Sequence, residues 1–300
     1  MKSLLHRVLP NSVYESIRQY RSRVRERQLR NQPLTKIMCG NYEIEAPKEH
    51  LLVALQKSQP YKDLCVGISA RFLSEKYPDK AIIDIGANIG DTAAIIATYS
   101  RANLILVEPS DYYYEILARN AKLFPNKVTL VKAMISDGTN VGGSLHHWGG
   151  TAEFKGNDHS EADMTTKRLI DIADRDTCFV KTDTDGFDFG IILDSMTWLK
   201  DHKPGYLFED WFGNGSDFAV ANQVCTELMD MGYMYFIVWD DAGFHILSTT
   251  SFDTLVQLHH YLFKITANNA HNRINNYDIL CLHERDEDVY ENISAWFAVN

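Results

Sequence analysis

At 300 residues, with 45% apolar and 23% charged side chains, the chain is long enough for one large domain, or a domain with an appendage, and for a substantial core. Its five cysteines (Cys39, Cys65, Cys178, Cys225, Cys281) are odd in number, scattered and never in a CxxC pair. That excludes a disulfide framework or zinc motif and implies reduced thiols in a cytoplasmic protein. No apolar run approaches the roughly 20 residues that span a bilayer, and MKSLLHRVLP is too short and too interrupted for a signal peptide.

The net charge of −10 is unevenly spread. Residues 1–36 hold nine Lys and Arg against Glu15 and Glu26, a surplus of seven, so the remainder carries −17. A basic helical arm on an acidic body points to an anionic surface, with a membrane fitting at least as well as nucleic acid. Leu4, Leu5, Val8, Leu9, Val13 and Ile17 would form the apolar side of two interfacial helices broken at Pro10. The alternative is a solvated helix packed loosely on the body. Residues 37–79 read as a mostly helical lead-in, with helical spacing at Glu49 to Gln56 and Asp63 to Lys76. Tyr42 to Glu45 alternates as a short strand, and His50 reads as a structural contact.

From Ala81 to the C-terminus, helix and strand patterns alternate in the manner of an open α/β sheet. Ala81-Ile82-Ile83 is an apolar run suited to a strand buried on both faces, and Asp84 sits where it ends. Gly86 and Gly90 bracket a tight turn, and Asp91-Thr92 opens a helix. G-x-x-x-G behind an acid differs from the G-x-G-x-x-G dinucleotide fingerprint, and suits a ligand with an ammonium and a carboxylate better than a pyrophosphate. A second apolar strand, Asn103 to Val107, ends in Glu108-Pro109. A carboxylate there, about twenty residues beyond the turn, can accept hydrogen bonds from both hydroxyls of a ribose.

A helix at Tyr112 to Phe124 and a third strand at Val128 to Ser136 follow. Thr139 to Thr166 has little periodicity and reads as a long loop, with His146-His147-Trp148 between glycine pairs as a substrate-facing lid or a plain surface loop. Met164 to Ala173 has helical spacing. The fourth strand, Cys178 to Lys181, ends in Thr182-Asp183-Thr184-Asp185-Gly186, and the fifth, Tyr206 to Phe208, ends in Glu209-Asp210. Like charges so crowded need compensation from Lys181, a metal or a cationic ligand. Asp183, Glu209 and Asp210 are therefore candidate ligands of a magnesium ion. The remainder reads as a helix (Ala219 to Met231), a strand (Tyr233 to Trp239) turning into a hairpin at His245, and a helix (Phe252 to Ile265). A last strand (Tyr277 to Leu282) and a terminal helix from Val289 complete it.

DIGANIGDTA at Asp84 to Ala93, VEPS at Val107 to Ser110, FVKTDTDGFD at Phe179 to Asp188, and the late segments GYLFED and MGYMYFIV together resemble the FkbM family of S-adenosylmethionine-dependent methyltransferases. The resemblance spans about Tyr42 to Leu282. Where that family usually has K-I-D-V-E-G-x-E, this chain has KTDTDGFD, with Asp185 and Asp188 one methylene shorter.

The resemblance implies a Rossmann-like open sheet of the class I methyltransferase type, mostly parallel with an antiparallel C-terminal strand, over residues 80–300. It places S-adenosyl-L-methionine on Asp84, Gly86, Ala87, Asn88, Gly90, Asp91, Thr92, Glu108, Pro109, Ile135, Ser136, Asp137 and Asp183. Asp137 would accept from the adenine amino group with Ile135 against the ring, unless Asp137-Gly138 is a turn without a ligand. The implied reaction is methylation of a hydroxyl, often on a sugar of a surface polysaccharide or glycosylated product. Asp185 or Asp183 is the expected base, with His147 next, and magnesium a further means of acidifying the hydroxyl. No nucleic-acid partner is expected. The competing readings are a nucleotide-dependent oxidoreductase, disfavoured by the missing G-x-G-x-x-G, and a non-catalytic cofactor-binding component of a glycan-assembly complex.

Overall fold

The computed structural model describes residues 31, 33–55, 58–136, 143–148, 151–156, 165–173, 177–184, 186–212, 217–267 and 274–299. For 143–148, 151–156, Asp217 and Ala267 it describes the backbone alone. Residues 1–30 and 32 of the basic arm, with Asp137 and Asp185, lie outside the described residues, as does the side chain of His147; the end of the arm, Leu34 to Lys36, is strand and not helix.

The apolar runs assemble into one eight-stranded sheet. In chain order its strands are β3 (Ala81–Ile85), β4 (Leu104–Val107), β5 (Val128–Val131), β10 (Thr177–Thr182), β11 (Gly205–Trp211), β12 (Tyr233–Asp240), β13 (His245–Thr249) and β14 (Asn276–His283). The spatial order is β13-β12-β14-β11-β10-β3-β4-β5. The five strands from β11 to β5 run parallel, and β14 is antiparallel to both β11 and β12. This is the Rossmann-like sheet of the class I methyltransferase type. Every residue of β3, β4 and β10 is buried, which explains why these strands read as continuous apolar runs rather than alternating ones.

Two helical layers cover the sheet. One contains α2 (Leu64–Lys76), α3 (Asp91–Tyr99), α4 (Asp111–Asn120) and α10 (Glu287–Val299), packed with Ile82, Phe179, Leu207 and Leu280. The other contains α6 (Asp188–Asp194), α7 (Met196–His202), α8 (Asp217–Asp230) and α9 (Phe252–Ala267), packed with Ile83, Val180, Phe208 and Ile279. Alternate residues of each strand therefore face different layers.

Both helices that the lead-in's spacing implies are present, α1 (Leu51–Leu55) and α2, but the segment is not mostly helical, because the strand expected at Tyr42 is one arm of a hairpin, β1 (Leu34–Cys39) with β2 (Tyr42–Pro47). Ile37, Cys39, Ile44 and Ala46 enter the first layer's core, and the Asn120 amide exchanges hydrogen bonds with both backbone groups of Glu45. The segment is part of the main core.

Three other expectations are corrected. The third strand stops at Val131, and Met134–Ile135 (β6) leaves the sheet to pair in parallel with Thr166–Lys167 (β9). Because β9 takes the place of the expected helix start, only one turn, α5 (Leu169–Ile172), is helical there. The irregular stretch contains an antiparallel pair, β7 (Gly143–Trp148) with β8 (Thr151–Gly156), so His146-His147-Trp148 lies in a strand. The signal was the Gly149-Gly150 pair between two runs, a strong short-hairpin cue.

Candidate functional site

The chain runs from β3 outward through β4 and β5, then returns to lay β10 and β11 on the other side of β3. Between β3 and β10 the connectivity therefore reverses, and open α/β sheets bind ligands in the crevice at the carboxyl ends of such a pair. The β3–α3 turn lines this crevice. Gly86 N and Ala87 N both donate to Val107 O, at 3.0 and 2.9 Å, while Asp183 N donates to Ile85 O at 3.2 Å. The turn is thus held across the tips of β4 and β10. Gly86 has φ +81°, and a Cβ there would lie 2.0 Å from Asp183 O, so conformation and closeness both require glycine.

Glu108 follows the last residue of β4 and is 4% exposed. Its two oxygens accept from Asn88 N at 3.0 Å and Ser110 N at 2.7 Å. Burial pushes its pKa up to about 7 despite those two donors. Each carboxylate oxygen retains a second lone pair, so the group can still accept from two hydroxyls of a diol.

Across the switch point, adjacent strands place an acid and a base side by side. Asp84 and Lys181 are paired in register, with Lys181 Nζ 3.2 Å from Asp84 and 3.5 Å from Asp183. Asp84 and Lys181 are buried, whereas Asp183 keeps 45% of its side chain exposed. Burial alone would lower the Lys181 pKa, but Asp84 and Asp183 carry it well above the ordinary value, so the ammonium stays charged. Burial raises Asp84, opposed by Lys181.

Further carboxylates converge on the same crevice. Asp91 and Asp278 are each pushed up to about 7, chiefly by burial, with Asp63 adding to the rise at Asp91 and Lys62 opposing it at Asp278. Asp63 acts on both, and Asp183 acts on Asp278. Lys62 sits among them, its pKa raised chiefly by Asp63, with Asp183, Asp278 and Asp91 contributing. Five carboxylates (Asp63, Asp84, Asp91, Asp183, Asp278) therefore share two ammonium groups, Lys62 and Lys181. The motif reading missed Lys62, Asp63 and Asp278. For Asp278 a signal existed, an acid within the otherwise apolar strand NYDILCLH. Asp63 has φ +62° ahead of α2, and its approach to the strand tips depends on tertiary packing that no local pattern encodes.

The expected magnesium set does not assemble. Asp210 is fully buried on the other side of the sheet, among the α8–α9 layer, with its Oδ2 3.3 Å from His259 Nε2. Glu209 accepts from Asn276 Nδ2, and Asp183 is beside Lys181. Strand alternation is the reason: adjacent residues Glu209 and Asp210 point to opposite faces. Among the described residues no group of three His, Cys, Asp or Glu side chains could hold a metal ion. Asp188 instead accepts from Thr184 N and Thr184 Oγ1. Ile135 is buried in the second layer's core, and Ser136 N donates to Lys167 O.

Strand order and direction define a Rossmann-like open sheet, with the acid-rich crevice at its switch point. No family model matches the chain, and no curated protein matches it. Solved structures with similar folds include the methyltransferase FkbM from Methylobacillus flagellatus KT, at 15% identity and TM-score 0.30, covering 44% of this chain and 32% of that one. The chain thus spans about a third of that protein's length. Precorrin-6y C5,15-methyltransferase from Geobacter metallireducens GS-15 has 16% identity and TM-score 0.36, covering 72% of this chain and 86% of that one. M. jannaschii TYW2, solved in complex with AdoMet, has 10% identity and TM-score 0.37, covering 84% and 85%. These are distant likenesses, and the functional reading rests on the site geometry.

Proposed function

We propose that the chain is an S-adenosylmethionine-dependent O-methyltransferase acting on a hydroxyl of a sugar. The observation that carries this is the excess of carboxylates over ammonium groups at the switch point, beside a buried, diol-competent carboxylate at the next strand tip. The residues fit the cofactor. Glu108 offers two acceptor positions for a ribose, and the excess negative charge favours a cation.

When bound, the cofactor supplies an electrophilic methyl carbon on a sulfonium. Asp91, Asp183 and Asp278 provide a field that favours positive charge in the crevice. Lys181 keeps Asp84 paired and orients Asp183 from 3.5 Å. Asp183, half-exposed at the β10 tip, is placed to accept the acceptor's hydroxyl proton, a role also assigned to Asp185 and His147 as candidates. Alignment of the acceptor oxygen by these groups would supply much of the acceleration. The basic arm of residues 1–36 would bring the enzyme to an anionic membrane where a glycan acceptor is assembled. Among the described residues no helix is long and apolar enough to cross a membrane.

The test is incubation with methyl-deuterated S-adenosylmethionine and a panel of oligosaccharides, followed by mass spectrometry. Label on a sugar oxygen, diminished in Asp183→Asn even at a cofactor concentration that saturates the variant, is the expected result. Cofactor binding without transfer to any acceptor would favour the non-catalytic reading.

A further inference from the structure

His50, in the turn after β2, connects the lead-in to the diol-binding carboxylate. Its backbone is fixed by His50 N donating to Pro47 O at 2.9 Å and by Val53 N donating to His50 O at 3.0 Å. Its ring is buried edge-on against Tyr113 of α4, with centroids 6.0 Å apart at 82°. Leu52 N donates to His50 Nδ1 at 3.3 Å. An accepting Nδ1 leaves the proton of the neutral ring on Nε2. That nitrogen lies 3.4 Å from Asn88 Oδ1, so Nε2–H donates to the Asn88 side chain. Asn88 has φ +47°, in the left-handed region, and its backbone N–H is one of the two main-chain donors that hold Glu108.

We infer that His50 is a positioning residue for cofactor binding: through Asn88 it fixes the peptide N–H that orients Glu108. This rests on the reading of the crevice as a cofactor site. Without the His50 contact, the left-handed backbone of Asn88 loses one of the interactions that hold it, and its N–H is fixed less firmly. Glu108 would then be held less firmly on its Asn88 side, weakening its orientation toward the ribose. The step it affects is nucleoside binding, because the contact runs through Asn88 to Glu108, the group assigned to the ribose.

The experiment is calorimetric titration of the full-length protein with S-adenosylhomocysteine. Wild type, His50→Ala, His50→Gln, Asn88→Gly, the double variant His50→Ala/Asn88→Gly and Glu108→Ala are compared, with thermal melts confirming the fold. Loss of one neutral hydrogen bond predicts about fivefold weaker binding for His50→Ala. His50→Gln, whose side-chain N–H reaches the same acceptor, should recover to within about twofold of wild type. Asn88→Gly keeps the backbone freedom and removes the side-chain acceptor, so it should match His50→Ala, and the double variant should lose no more than either single. Wild-type affinity in His50→Ala alongside weakened Glu108→Ala would overturn the inference while sparing the cofactor site. Failure of His50→Gln to recover would overturn the Nε2 role in favour of packing. Unchanged affinity in Glu108→Ala as well would overturn the cofactor reading and the inference with it.

Discussion

Asp84 and Asp210 are both fully buried in parallel strands, and each faces one basic side chain, yet the two pairs hold different charge states. At the strand tips Lys181 is raised well above its ordinary pKa and stays an ammonium, so Asp84 sits in an ion pair. On the opposite face burial pushes Asp210 far up and lowers His259 to about 4, and His259 Nδ1 lies 2.9 Å from Asn222 Oδ1. A neutral imidazole with its proton on Nδ1 donates to Asn222 and turns Nε2 to a protonated Asp210. The difference follows from surroundings: Asp84 and Lys181 border a crevice shared with other charges, whereas Asp210 and His259 are enclosed by aromatic and aliphatic side chains. A charged pair persists where neighbouring charges sustain it, and a neutral pair forms where the surroundings are mostly apolar and no charge compensates burial.

Breaking the charged pair should have the largest effect. Lys181→Met leaves Asp84 buried without its cation and is expected to cost about 3–5 kcal/mol of stability in urea unfolding. Asp84→Leu/Lys181→Met, which removes both charges, should be far closer to wild type than either single variant.

The two faces should also respond to pH in opposite directions. Glu108, Asp91 and Asp278 have folded pKa values of about 7, above their unfolded values of 4.5, 3.8 and 3.8. The stability they contribute is present below those unfolded values and is lost as pH rises through about 7. His259 is depressed from 6.5 to about 4, so its contribution is present above 6.5 and lost as pH falls through about 4. The two dependences overlap between about pH 4 and 7, where three carboxyls outweigh one imidazole, so stability from these groups should fall as pH rises across that window, more steeply in His259→Gln and less steeply in Asp278→Asn.

Ligand affinity has its own pH signature. The ionised Glu108 is the better acceptor for a diol, so S-adenosylhomocysteine affinity should rise with pH up to about 7 and then level off. Proton release sets a limit of about tenfold per pH unit for this one group. Glu108→Gln should remove that part of the dependence. The smallest effect belongs to the neutral pair: Asp210→Asn keeps a donor toward His259 and should cost about 1 kcal/mol, with cofactor affinity unchanged.

The same contrast marks what the residue string could reveal. The turn from Gly86 to Gly90, the acids ending the strands and the sheet itself were legible, because buried parallel strands are apolar throughout and tight turns need glycine. The face on which a strand-end acid falls was readable in principle from alternation, and treating Glu209 and Asp210 as neighbours overlooked it. Lys62 and Asp63 reach the crevice from a turn preceding α2, and Asp278 from an antiparallel strand nearly two hundred residues beyond β3. Those meetings depend on strand order, which local patterns do not contain. His50 was legible as a structural contact, but its link through Asn88 required the turn's left-handed backbone.

The central claim, that the crevice between β3 and β10 with Glu108 beside it binds S-adenosylmethionine, is tested most directly by equilibrium titration of wild type and Glu108→Ala. Saturable one-to-one binding by wild type, weakened at least tenfold in the variant through loss of charge-assisted hydrogen bonds worth about 1.5–3 kcal/mol each, is the expected result. Absence of binding by wild type, or equal affinity in a folded Glu108→Ala protein, would contradict it.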